Sequence, residues 1–298
     1  MLLLHFEDER AFARRLARVA GLEAAGIRRH RFPDDELRVT LPARVPPRVV
    51  VLRSLDHPNE KLVELLLVAQ TARTLGARHV TLVAPYLAYM RQDDAFAPGE
   101  AVSQRHVGAL LAALFDRVVT VDPHLHRVTR LPEVLPEVEA VALSAAPLIG
   151  AYVRARAGRA LLVGPDEESA QWVETAALAG GCDWAVCRKE RRGDRAVRVH
   201  LPAVKIGGRR VVLVDDMITT GHTLAAATRA LLSEGARRID VAVTHALCAG
   251  DAMAVLGAAG VRSVWSTDSV AHDTNAIALA PLLARAVLAR RRSSPLDG

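Results

Sequence analysis

The sequence predicts an α/β chain made of two tandem copies of one mostly parallel sheet flanked by helices, and three observations predict it. Strand-like and helix-like stretches alternate along the chain. Short segments recur between its halves. At 298 residues and 51% apolar, the chain is long for one average domain and can bury two sizeable cores.

The elements follow in order. The β-branched run Arg48 to Leu52 predicts a strand, and Asn59 to Leu75 has helical apolar spacing that stops at Gly76. A strand at Arg78 to Ala84 precedes a helix from Ser103 to Phe115, with Ser103 as N-cap, and then a strand at Arg117 to Val121. The rhythm resumes with a strand at Ala160 to Val163, a helix from Ser169 to Ala179 and a strand at Trp184 to Cys187. Arg209 to Val214 and Ile239 to Thr244 read as strands around a helix at Thr223 to Leu232. A helix at Asp251 to Ala259, a strand at Ser263 to Trp265 and a final helix from Ile277 to Arg290 complete the pattern.

Two pairs of segments suggest duplication. Leu75-Gly76-Ala77-Arg78 joins a helix to a strand, as Glu234-Gly235-Ala236-Arg237 does later. Val118 to Asp122 echoes Val211 to Asp215, a buried strand closed by a carboxylate. The Pro/Glu-rich stretch Leu131 to Glu137 sets a boundary, giving domains 1–142 and 143–298.

The net charge of +6 raises a nucleic-acid partner, but the arginines are dispersed and no aromatic stacking platform accompanies them. Polyphosphate ligands suit the charge equally well. Three cysteines without a CxxC pair read as reduced thiols, not as zinc ligands or disulfides. The acidic turn after Leu2-Leu3-Leu4 is wrong for a signal peptide, and no apolar run would span a membrane. The expectation is a cytoplasmic protein with neither nucleic acid nor membrane as partner.

Chemistry concentrates at Val214-Asp215-Asp216-Met217-Ile218-Thr219-Thr220-Gly221-His222-Thr223. A strand ends in two carboxylates, a short loop follows, and a helix begins. Ligands of open parallel sheets bind at such strand ends, where helix N-terminal amides cradle phosphate. Thr219, Thr220 and Thr223 add hydroxyls, and Gly221 lets the backbone approach. Asp215 and Asp216 would repel phosphate, so they make sense as acceptors for vicinal sugar hydroxyls, directly or through a cation. A helix cap alone would not require so many polar groups. No GK[ST] is present, so this is not a Walker A loop.

This loop resembles the 5-phosphoribosyl diphosphate-binding loop of type I phosphoribosyltransferases. With Arg31 to Glu36, Pro85 to Asp93, Pro98 to Ser103 and Val121-Asp122-Pro123-His124, the chain resembles ribose-phosphate diphosphokinase (phosphoribosyl diphosphate synthetase) from about His30 to about Val287. The resemblance implies two tandem type I phosphoribosyltransferase-like domains and transfer of diphosphate from Mg-ATP to ribose 5-phosphate. By it, Phe32, Asp34 and Glu36 receive adenine, while Arg91, Gln92 and Asp93 hold the rest of ATP. His124 and Asp166 stand near the metal. Lys189 and Arg191, on a mobile basic hairpin, act with His124 in catalysis. Asp215, Asp216, Thr219, Thr220, Gly221 and Thr223 hold ribose 5-phosphate. The resemblance further implies Mg2+ and a homo-oligomer. The chain departs from the family pattern at Asp94-Ala95, Glu167-Glu168-Ser169 and Trp172. A phosphoribosyltransferase using the same loop and a catalytically silent homologue are the alternatives; nucleotide binding tests the first and turnover the second.

Overall fold

The structure, a computed structural model, describes residues 1–95, 97–125, 128, 130–192, 196–201 and 203–289, with only the backbone of 189–192 and 196–199. Two units emerge, Met1–Leu143 joined by the segment beginning at Ala280, and Ser144–Leu279.

In the first unit the apolar run Leu2–His5 forms β1, followed by α1 (Arg10–Ala20), β2 (Glu23–Gly26) and the hairpin strands β3 (Arg28–Arg31) and β4 (Leu37–Thr40). Then come β5 (Arg48–Leu52), α2 (Pro58–Thr74), β6 (His79–Ala84), α3 (Ser103–Leu114), β7 (Arg117–Val121), α4 (Leu131–Val134) and β8 (Glu139–Leu143). Helix α1 shows why these segments fold as they do. Ala13, Leu16, Ala17 and Ala20 bury one face, and Gly21 ends the helix with φ 64°, a left-handed turn that favours glycine.

The second unit repeats the plan. It holds α5 (Ala146–Ala157), β9 (Leu161–Gly164), α6 (Ala170–Gly180), β10 (Asp183–Val186), β11 (Arg188–Arg192) and β12 (Ala196–His200). It continues with β13 (Arg210–Ile218), α7 (His222–Ser233), β14 (Arg238–Ala246), α8 (Ala252–Ala259), β15 (Val261–Thr267) and β16 (Asn275–Ile277). Each unit has one six-stranded sheet, ordered β2-β1-β5-β6-β7-β8 and β10-β9-β13-β14-β15-β16. All neighbours pair in parallel. After the second strand of each unit an antiparallel hairpin stands outside the sheet, β3–β4 in one and β11–β12 in the other.

Register fixes which residues correspond. Gly76 and Gly235, both at positive φ, lead into β6 and β14, where Arg48 pairs with His79 and Arg210 with Arg238. Counting along the strands, Arg53 stands where the second unit has Asp215, and Ser54 where it has Asp216. The expected echo of Val118 to Asp122 with Val211 to Asp215 is therefore a coincidence of composition. Strand β7 occupies the fifth place in its sheet and β13 the third in the other.

Four other expectations need correction. Strand β13 runs to Ile218, because β14 continues to pair with it through Ala246, so both carboxylates lie within the strand. Ser103 is the first residue of α3 and not its cap; its hydroxyl donates to Gln92 Oε1 at 2.7 Å. Ile277 ends β16, and the last helix, α9, is Ala280–Leu288. That helix packs on α1, and Arg117 Nη1 donates to Ala289 O at 3.3 Å, so the C-terminal segment completes the first unit. The 143–298 division had assigned it to the second. The buried helix faces and the parallel strands make one aliphatic core on each side of the second sheet, and Trp172 lies in one of them, 7% exposed. Among the described residues, no helix is long and apolar enough to cross a membrane.

Candidate active site

In a parallel sheet every strand delivers its carboxyl end to the same edge. In the second unit, that edge gathers Asp166 after β9, the hairpin after β10, and Asp215 and Asp216 on β13. Asp216 is 2% exposed, and its backbone N–H donates to Asp215 Oδ1 at 3.0 Å. Asp215 keeps a partly open surface yet sits deep in the fold. Burial raises its pKa well above the carboxylate range, and the charges of Asp216 and Asp166 push it further. Three acidic groups thus stand at one strand edge, where two of them disfavour charge on the third.

Beyond Ile218 the loop turns sharply into α7. Thr219 is half-buried and Thr220 exposed. Cys248 N donates to Ile218 O and Ala249 N to Thr219 O, at 3.0 and 2.9 Å, tying the loop to the segment after β14. Gly221 caps α7 at φ 75°, ψ −4°. A Cβ there would lie 3.2 Å from Ala252 O and 3.3 Å from Leu256 Cγ, so glycine answers both the backbone conformation and the space. It supplies no side-chain oxygen to the first amides of α7, a role that an anion can take. The helix is seated by Leu224, Ala225, Ala227 and Leu231.

Sequence reasoning passed over His245, which pairs in register with Met217 beside this loop and is buried. Its Nδ1 lies 2.9 Å from Ser269 Oγ, whose hydroxyl donates to Thr244 O at 2.9 Å. That hydroxyl has one proton, so the imidazole is assigned as donor through Nδ1. A lone histidine at a strand end gives no sequence signal of such burial.

In the first unit, the carboxyl edge carries the other expected residues. Segment 85–93 follows β6, and His124, half-buried, follows the adjacent β7. Arg91 is exposed, while Gln92 and Asp93 are half-buried. Gln92 O accepts from Gln104 N at 3.2 Å, which with Ser103 fixes Gln92 against the start of α3. Phe32, 36% exposed, begins the tip of the β3–β4 hairpin. His30 meets it edge-on with centroids 4.7 Å apart, and the Arg38 guanidinium lies 5.6 Å from its ring. Asp34 and Glu36 are exposed at the same tip, where Phe32 N donates to Glu36 O at 2.9 Å. Lys189 and Arg191 fall on β11, and their side chains lie outside the described residues. His124 belongs to the first unit and Asp166 to the second.

The comparisons with known proteins agree with this layout. A model of the N-terminal domain of ribose phosphate pyrophosphokinase matches residues 1–114, and one of the phosphoribosyl transferase domain matches 136–257. The chain is 37% identical to a ribose-phosphate pyrophosphokinase of Methanopyrus kandleri, over 96% of this chain and 98% of that one. It is 35% identical to ribose-phosphate pyrophosphokinase 2 of Archaeoglobus fulgidus, over 91% and 94%. The crystal structure of phosphoribosylpyrophosphate synthetase from Mycobacterium smegmatis superposes with a TM-score of 0.82 at 26% identity, covering 96% of this chain and 97% of that one. The two phosphoribosyltransferase-type domains, the strand-end carboxylates and the full-length likeness together place the chain in the ribose-phosphate pyrophosphokinase family.

Proposed function

We propose that the chain transfers the β,γ-diphosphoryl group of Mg-ATP to the 1-hydroxyl of ribose 5-phosphate. The 1-oxygen attacks the β-phosphorus, the bond from that phosphorus to the α,β-bridging oxygen breaks, and AMP leaves with 5-phosphoribosyl 1-diphosphate as product. The hydroxyl proton passes to solvent or a neighbouring base. The observation that carries this reading is the acidic strand end of β13 leading into a glycine-capped helix, in a chain matched to the family along both units.

In this reading the first amides of α7, with Thr219, Thr220, Gly221 and Thr223, receive the 5-phosphate. Asp215 and Asp216 accept from the ribose hydroxyls. Phe32 stacks on adenine while Asp34 and Glu36 accept from its amino group, and Arg91, Gln92 and Asp93 hold the polyphosphate side. Lys189, Arg191 and His124 neutralise charge that grows on the transferred group; catalysis of this kind is positioning and electrostatics.

Among the described residues no three His, Cys, Asp or Glu side chains form a ready cage for a metal. The mutual repulsion at Asp215, Asp216 and Asp166 nevertheless suits Mg2+, which prefers hard oxygens and keeps waters and substrate phosphates as ligands. Asp166 and His124 are the residues assigned to it, and the ion would supply charge neutralisation on the diphosphate. A cytoplasmic homo-oligomer completes the reading. Its test is incubation with Mg-ATP and ribose 5-phosphate. AMP release that depends on the sugar is expected; ADP would mean ordinary kinase chemistry, and no turnover would favour a silent homologue.

A further inference from the structure

The β3–β4 hairpin stands off the sheet. It pairs with neither edge of the six-stranded sheet, every residue of β3 is exposed, and β4 is at most half-buried. Its base is held by the buried side chains of Ile27 and Leu41, by packing of β4 on α2 and by a backbone bond from Ile27 N to His5 O at 2.7 Å. What ties it down farther out is charge. Arg29 on β3 pairs with Glu64 and lies 3.6 Å from Glu60, both on α2. Arg31, the last residue of β3, pairs with Glu60 and with Asp35 at the tip.

Glu64 is fully buried, and its other partner is Arg53 Nη2 at 2.6 Å. Arg53 is 1% exposed, lies 4.5 Å over the Phe6 ring and also pairs with Asp8 at 2.8 Å and Glu9 at 3.4 Å. Charges so placed are expensive to bury unless paired on every side. The ladder runs from the core of the unit to the adenine tip. Its root, Arg53, occupies the place that Asp215 takes in the second unit. One strand end serves as a sugar site, while its counterpart is closed by an ion-pair knot.

We propose that Glu64, by bridging Arg53 to Arg29, is a positioning residue that holds the hairpin for the nucleotide. The proposal rests on the reading of Phe32 as the adenine residue. Helix α2 serves the second nucleotide segment as well, since the Tyr89 hydroxyl donates to Asn59 Oδ1 in its first turn. Neither Glu64 nor Arg53 meets the reacting atoms in this scheme, so a lost ladder weakens ATP capture more than chemistry.

The test is steady-state AMP formation by the full chain, with each substrate varied in turn. Glu64→Gln keeps the volume and removes the charge. It should raise KM for ATP about tenfold, the size expected for a displaced positioning element, with kcat and KM for ribose 5-phosphate within about twofold. Phe32→Ala, run in parallel, tests the underlying reading. If Phe32→Ala raises KM for ATP and Glu64→Gln does not, the positioning role is wrong and the adenine assignment stands. If Phe32→Ala has no effect, both fall. A Glu64→Gln protein that loses kcat and both affinities together would mark a merely structural residue. Should it fail to fold, Glu60→Gln decides. Glu60 is 37% exposed and holds only the outer rungs. Its variant should raise KM for ATP about threefold, the upper range for a partly exposed pair, and an unchanged KM would overturn the proposal.

Discussion

Replacing Gly221 by alanine perturbs the loop before α7 at a constrained backbone position. An L-residue at φ 75° costs about 1–2 kcal/mol. The new Cβ would stand 3.2 Å from Ala252 O, a backbone atom at the start of α8, so the loop must shift, at about 1 kcal/mol. Against this, alanine stiffens the unfolded chain and returns roughly 0.5–1 kcal/mol. The net expectation is a loss of about 2 kcal/mol in urea unfolding. Displacing the first amides of α7 should also raise KM for ribose 5-phosphate about tenfold while leaving that for ATP alone. Gly257→Ala provides the opposite sign. That glycine is exposed in the middle of α8 with open space around it, so alanine should stabilise by about 0.5–1 kcal/mol. A Gly221→Ala protein as stable as its parent, with unchanged sugar kinetics, would refute the reasoning.

Other expectations concern charge. Asp215→Asn removes a carboxylate that burial, Asp216 and Asp166 all disfavour, so the melting temperature should rise while sugar-dependent AMP release falls by orders of magnitude; a lower melting temperature would contradict the electrostatic account. Burial pushes Glu9 from 4.5 up to about 7, outweighing the pull of Arg53. Because the folded value is the higher one, its contribution is full below 4.5 and is lost as pH rises through 7. At about 1.4 kcal/mol per pH unit, the first unit should lose up to about 3 kcal/mol across that window. Unfolding curves of Glu9→Gln should show the dependence flattened. Lys189→Ala should leave ATP binding within about a few-fold and lower turnover by orders of magnitude, as the proposed charge neutralisation on the transferred group requires; parallel loss of binding and turnover would count against it.

Much of the second unit was legible because its signals are local. A strand, two carboxylates and a Thr/Gly turn stand in one stretch, and periodicity alone brackets α7, β14 and α8. The Gly76 and Gly235 connections revealed the repeat because left-handed helix ends demand glycine. The first unit hid more. Strand β1 has four residues and β3 consists of Arg, Arg, His and Arg, a composition without alternation to read. Helix α1, by contrast, was readable in principle, since Ala13, Leu16, Ala17 and Ala20 keep helical spacing and Gly21 ends the run. The role of Arg53 was invisible for a different reason. Its partners Asp8, Glu9 and Glu64 come from two other elements, and nothing in the local sequence distinguishes a buried arginine from an exposed one. The departure at Trp172 becomes intelligible only in the fold, where its ring, on the buried face of α6, fills the core.

The return of α9 to α1 makes the second unit an insertion between two pieces of the first. During synthesis, the first unit must wait, one helix short, until the whole second unit has emerged. A cut before Ala280 would therefore injure the half it does not adjoin in sequence, baring the face of α1 that α9 covers. The same path would let residues 144–279 be expressed between their own natural boundaries, whereas the outer half needs its two pieces reconnected to be made alone.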